Sequence, residues 1–102
     1  MVPMTVAPPR VLLISESRIT RRVVEMTFAD QAVELVTAVT SQEGLAAWED
    51  RPATVVLADL AMDAPPDGLA VARHVHAHAG DRHAAVLLMA GPNDAVDDAE
   101  MV

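Results

Sequence analysis

The chain has 102 residues, 52% of them hydrophobic, and its 15 acidic against 7 basic side chains leave a net charge of −8. One domain of this length buries about 60–65% of its unfolded surface. The acidity argues against nucleic acid as a partner of this segment, because duplex phosphates call for a basic face. Partners with basic surfaces, or a divalent cation, suit it better. The absence of cysteine excludes disulfides, thiolate zinc sites and cysteine nucleophiles, and it fits a reducing cytoplasm. With no apolar run of even ten residues, a soluble globular protein without a membrane span is expected.

Residues 1–9 hold a Pro8-Pro9 pair, no basic cluster and no apolar core, so they read as a disordered tail and not a signal peptide. The remaining 10–102 form the expected domain. Arg10–Ile14 is a continuous apolar run, the mark of a strand buried on both faces. Ser15-Glu16-Ser17 ends it, and Ser17 is a good N-cap for a following helix. There Ile19, Val23 and Met26 recur at i, i+4 and i+7, with Arg18, Arg21, Arg22 and Glu25 on the other side. That spacing predicts an amphipathic helix ending near Ala29. Residues 33–38 alternate imperfectly and are β-branched, as an edge-proximal strand would be. Thr40-Ser41-Gln42-Glu43 is a capping box opening a helix through Leu45, Ala46 and Trp48, which Arg51-Pro52 stops.

Ala53-Thr54-Val55-Val56-Leu57-Ala58-Asp59-Leu60 is the central strand. A carboxylate left unpaired in mid-strand would cost several kcal/mol, so Asp59 belongs where the strand ends and opens to solvent. In doubly wound sheets ligands bind at the carboxyl ends of the strands. After a loop containing Pro65-Pro66, Asp67 caps a helix from 68 to about 79, with Leu69, Ala72, Val75 and Ala79 directed inward and Gly80 as its stop. Ala85–Met89 is a fourth apolar strand, and an acidic helix is expected from Asp94. Strands alternating with helices of this length give a parallel α/β sheet with right-handed crossovers.

Several of these segments, in this order and spacing, resemble response-regulator receiver domains of two-component signalling, the chemotaxis-regulator-like group. The similarity covers Val11-Leu12-Leu13-Ile14-Ser15-Glu16-Ser17-Arg18, Arg21-Arg22, Glu34-Leu35-Val36-Thr37-Ala38 and Glu43-Gly44-Leu45. It continues through Val56-Leu57-Ala58-Asp59-Leu60, Gly68-Leu69 and Val86-Leu87-Leu88-Met89. The resemblance implies a flavodoxin-like doubly wound parallel sheet of order 2-1-3-4, lacking the fifth strand and helix. It implies a signalling module and not an enzyme. Asp59 matches the phosphoacceptor, to be charged by a histidine kinase or phosphotransfer protein. Mg²⁺ would be held by Glu16, Asp59 and the Ala61 carbonyl.

Departures from the family pattern lie in the same places. Ser15 stands where one of two cation-binding acids is usual, so the Mg²⁺ site is expected to be weak. Ala90 stands where a phosphate-contacting hydroxyl is usual, and the 102 residues contain no lysine. Losing one preorganised donor to an oxyanion costs roughly 10²–10³-fold in rate. The resemblance is therefore to a degenerate or truncated receiver, with Ala85–Met89 as an apolar sheet edge that invites a homodimer or exchange of elements. The alternative is a phosphorylation-independent pseudo-receiver that serves as an interaction or dimerisation module.

Other features read more plainly. His74 and His78 lie at i, i+4 but belong to a solvated helix face, and Trp48 is core packing. Arg18, Arg21 and Arg22 are exposed face residues, with kinase docking an implication of the family alone. A dinucleotide site would need a glycine-rich turn where Ser15-Glu16-Ser17 stands. A haloacid-dehalogenase-like phosphatase would need a second aspartate where Ala61 stands.

Overall fold

The computed structural model describes residues 8–80 and 83–90 of the chain. In chain order they form β1 (Arg10–Ile14), α1 (Arg18–Phe28), β2 (Glu34–Ala38), α2 (Ser41–Asp50), β3 (Val55–Asp59), α3 (Gly68–His78) and β4 (Ala85–Met89). The four strands make one parallel sheet in the order β2-β1-β3-β4. The expected doubly wound, flavodoxin-like sheet is thus present in the described residues. The acidic helix expected from Asp94 lies outside them.

The chain steps from β1 to β2 in one direction and from β2 through β3 to β4 in the other. Right-handed crossovers then place α1 on one face of the sheet and α2 with α3 on the opposite face. Alternation along the strands decides what each face receives. Leu12, Ile14, Val56 and Ala58 join Trp48, Val71, Val75 and Ala79 in the core beneath α2 and α3. Val11 and Leu13, pointing the other way, are also buried.

Helix starts follow the sequence closely. Ser17 Oγ accepts from the Thr20 amide at 3.1 Å, and Asp67 Oδ1 accepts from the Ala70 amide at 2.9 Å. Thr40 Oγ1 accepts from the Glu43 amide at 3.1 Å, while the Glu43 carboxylate reaches the Val39 amide at 3.3 Å and not that of Thr40. Gly80 has φ +63°, the left-handed conformation that suits glycine after a helix.

Two inward faces differ from the sequence reading. On α1 the apolar stripe Ile19, Val23 and Met26 is 77%, 56% and 65% exposed, whereas Thr20, Val24 and Phe28 are half-buried. On α3, Val71 and Val75 are fully buried and Leu69 is exposed. The spacing of apolar residues marks a stripe; the position of the sheet selects which side of it is covered.

Candidate functional site

The register of the central strands builds the site. Ile14 of β1 sits opposite Ala58 of β3, so the next residues, Ser15 and Asp59, are neighbours where both strands end. Ladder-type bonds extend past both strands: the Ser15 amide donates to the Ala38 carbonyl at 3.1 Å and the Leu60 amide to the Met89 carbonyl at 2.8 Å. The backbone around Asp59 is therefore held from both sides. Asp59 is half-buried, at the carboxyl end of the sheet.

Its carboxylate is bound asymmetrically. Oδ2 accepts from the Ser15 hydroxyl at 2.7 Å and from the Glu16 amide at 3.2 Å. Among the described residues no hydrogen bond reaches Oδ1. Ser15 is fully buried and is itself fastened, its Oγ accepting from the Ser17 amide at 3.2 Å. Its carbonyl accepts from Arg21 Nη1 at 2.8 Å, which ties α1 to the same corner.

Glu16 sits beside Asp59 through its main chain, but its carboxylate turns elsewhere. Oε1 accepts from the Asp63 amide at 2.8 Å and so braces the loop between β3 and α3. Ala61 lies in that loop, exposed, two residues past Asp59. On the far side of the loop, Gly68 comes directly against β3. A Cβ there would lie 2.9 Å from the Asp59 carbonyl carbon and 2.9 Å from Leu60 Cα. The Gly68 amide also donates to the Leu60 carbonyl at 3.0 Å.

The expected residues Asp59, Glu16 and Ala61 thus gather at one end of the sheet. Ser15, which in the sequence stands only as a missing acid, is a hydrogen-bond donor to Asp59. The available signal was strand register, since a parallel pairing of β1 with β3 places the residues after Ile14 and Ala58 side by side. Asp59, Glu16 and the Ala61 carbonyl offer hard oxygen ligands of the kind Mg²⁺ takes. Asp59 Oδ2 and Glu16 Oε1 already accept protein hydrogen bonds, so a cation has to compete for those two oxygens. Among the described residues no three His, Cys, Asp or Glu side chains converge on a metal-binding point.

A second polar group lies between α2 and α3. His74 Nε2 is 3.0 Å from Glu49 Oε1, and His78 stacks on His74 with ring centroids 4.1 Å apart. His78 Nδ1 is bonded to the His74 carbonyl at 2.8 Å. Trp48 meets His74 edge-on, and its indole N–H donates to the Ala53 carbonyl at 3.3 Å. Trp48 is 3% exposed, in the core as expected.

No protein-family model matches the chain, and no curated protein does. Solved structures do resemble it. The Vibrio cholerae chemotaxis protein CheY4 superposes with a TM-score of 0.77 at 21% identity, over 93% of this chain and 77% of that one. A response regulator receiver domain protein from Clostridium thermocellum gives 0.73 at 23% identity, over 84% and 68%. The signal receiver domain of a Luxo repressor protein from Vibrio parahaemolyticus gives 0.73 at 17% identity, over 85% and 65%. This chain therefore spans between 65% and 77% of the length of these three relatives. The fold is that of response-regulator receiver domains. No helix of the described residues is long and apolar enough to cross a membrane.

Proposed function

We propose that the chain is a receiver module of a two-component pathway in which Asp59 accepts a phosphoryl group from a histidine kinase or phosphotransfer protein. The observation that carries this reading is the asymmetry of the Asp59 carboxylate. Oδ2 is pinned by two donors, which fixes the side chain and leaves Oδ1 without a hydrogen bond among the described residues. In the transfer, Oδ1 attacks the phosphorus of a phosphohistidine, the O–P bond forms and the P–N bond breaks. The departing imidazole nitrogen takes a proton, and Asp59 is left as an acyl phosphate. Ser15 and the Glu16 amide hold the carboxylate while this happens, and Arg21 holds the Ser15 carbonyl.

Glu16, Asp59 and the Ala61 carbonyl are the residues that would hold Mg²⁺. When bound, such an ion neutralises charge on the transferring phosphoryl oxygens. The kinase-facing surface in this proposal includes the patch lined by Arg18, Arg21, Arg22 and Glu25. A cytoplasmic location and self-association belong to the same proposal, the latter supported by the exposed Ile19, Val23, Met26 and Leu87. Size-exclusion chromatography with light scattering reads the association directly, and a monomer at all concentrations removes it.

A second reading is favoured by one specific observation. A buried hydroxyl where the family places an acid, together with Ala90 after β4, suits a module that binds partners without being phosphorylated. One experiment separates the two. The protein is incubated with Mg²⁺ and a small phosphodonor, and intact mass is measured for wild type and Asp59→Asn. A phosphate added to wild type and not to Asp59→Asn supports the acceptor role. No added phosphate on wild type leaves the interaction module as the function.

A further inference from the structure

We propose that Ser15 sets the ligand preference of Asp59, its hydroxyl serving as a built-in donor that takes one of the two carboxylate oxygens out of a divalent cation's reach. This rests on Asp59 being the functional carboxylate, whether or not it is phosphorylated. Its basis is the set of contacts at the ends of β1 and β3. The bond from Ser15 Oγ to Asp59 Oδ2 has the usual O–H···O length, 2.7 Å, and its donor is completely buried. The Glu16 amide reaches the same oxygen, so both donors converge on one atom and the other oxygen is left alone.

The Ser15 side chain is not free to swing away. Its Oγ accepts from the Ser17 amide at 3.2 Å, and Ser17 Oγ in turn caps α1 through the Thr20 amide. Turning Ser15 away from Asp59 therefore loosens the entry to α1 as well as the carboxylate. The other acid in reach is engaged too, since Glu16 Oε1 accepts from the Asp63 amide. A cation arriving at Oδ2 of Asp59 must compete with an organised pair of donors, which leaves it Oδ1 alone. An acid at position 15 would reverse this, replacing a donor on Asp59 with a second carboxylate beside it.

The experiment is Mn²⁺ binding to the full 102-residue chain, followed by electron paramagnetic resonance of the free ion. Wild type, Ser15→Ala, Ser15→Asp and the double variant Ser15→Asp/Asp59→Asn are compared, with circular dichroism confirming the fold of each. Ser15→Ala is expected to bind Mn²⁺ about tenfold more tightly than wild type, equivalent to about 1.4 kcal/mol. That is the scale of one hydrogen bond to a charged acceptor. Ser15→Asp gains more, and the double variant loses the gain.

Equal affinity for wild type, Ser15→Ala and Ser15→Asp, all folded, overturns the proposal; so does a gain that survives Asp59→Asn. Should Ser15→Asp not fold, nuclear magnetic resonance of wild type decides. A Ser15 hydroxyl proton protected from exchange with water supports the donor role, and a freely exchanging one overturns it. No phosphoryl transfer enters these readouts. A wild type that never gains phosphate removes the acceptor reading and leaves the Mn²⁺ comparison to stand or fall by itself.

Discussion

Ser15 and Asp59 are joined across the ends of β1 and β3 by a 2.7 Å hydrogen bond whose donor is fully buried. Hydrogen bonds to charged groups contribute about 1.5–3 kcal/mol net. Ser15→Ala should therefore lower stability by about that amount, read as a fall in the urea midpoint at unchanged slope. Ser17→Ala, at an exposed N-cap, should cost nearer 1 kcal/mol. A Ser15→Ala loss no larger than that of Ser17→Ala would show that the bond is weak in solution.

Gly68 holds α3 against the backbone of β3. A methyl group there meets main-chain atoms of Asp59 and Leu60, which cannot rotate aside as a side chain could. Gly68→Ala should cost about 1–3 kcal/mol, the range for overpacking, and should shift the Asp59 resonances in a heteronuclear spectrum. Retained stability with an unchanged Asp59 environment would refute the close approach.

Gly44 presents a softer version of the same constraint. Its Cβ would fall 2.5 Å from Ile14 Cγ1, a side chain with no exposed surface and so little room to move. Alanine in a helix interior is favoured over glycine by about 1 kcal/mol, against an overpacking cost of about 1–3 kcal/mol. Gly44→Ala should be destabilising by about 0–2 kcal/mol after that offset, and Gly44→Leu far more so. Thermal melts of the two variants check the order.

Leu12 and Leu87 test the burial pattern. Leu12 is 2% exposed within the core and Leu87 is 57% exposed on β4. Leu12→Ala should cost about 2–5 kcal/mol through lost transfer energy and a residual cavity. Leu87→Ala should stay within about 0.5 kcal/mol, as for other surface substitutions. Equal costs would mean that Leu87 is covered in solution, and light scattering on the same samples would show by what.

Trp48 offers a polar test within an apolar environment. Its indole N–H satisfies the Ala53 carbonyl, and phenylalanine keeps most of the bulk while removing the donor. Trp48→Phe should cost about 1–3 kcal/mol from the unsatisfied acceptor, in addition to any packing loss. Urea denaturation followed by circular dichroism measures it, since the intrinsic fluorophore is gone.

Much of this fold was legible in the residues. Two largely apolar runs, Arg10–Ile14 and Val55–Asp59, mark interior strands of a parallel sheet; β1 is buried on both faces, whereas β3 buries Val56 and Ala58 and leaves Val55 and Leu57 half-buried. Ser17, Thr40 and Asp67 marked the helix starts because capping is a local bond between near neighbours, set by three or four residues of chain. Asp59 was placed at the strand end for a similarly local reason, the cost of burying an unpaired charge.

What the sequence alone could not determine is which groups meet. Ile19, Val23 and Met26 form an apolar stripe in any helix, but the sheet lies beneath Thr20, Val24 and Phe28, and that depends on how α1 is set down. Ser15 read alone lacks a charge; across from Asp59 it is a donor, and the parallel register of β1 with β3 makes it so. Turns, caps and strand identity follow from short-range sterics and burial. The partner of Ser15 is 44 positions away, brought beside it only when the sheet closes.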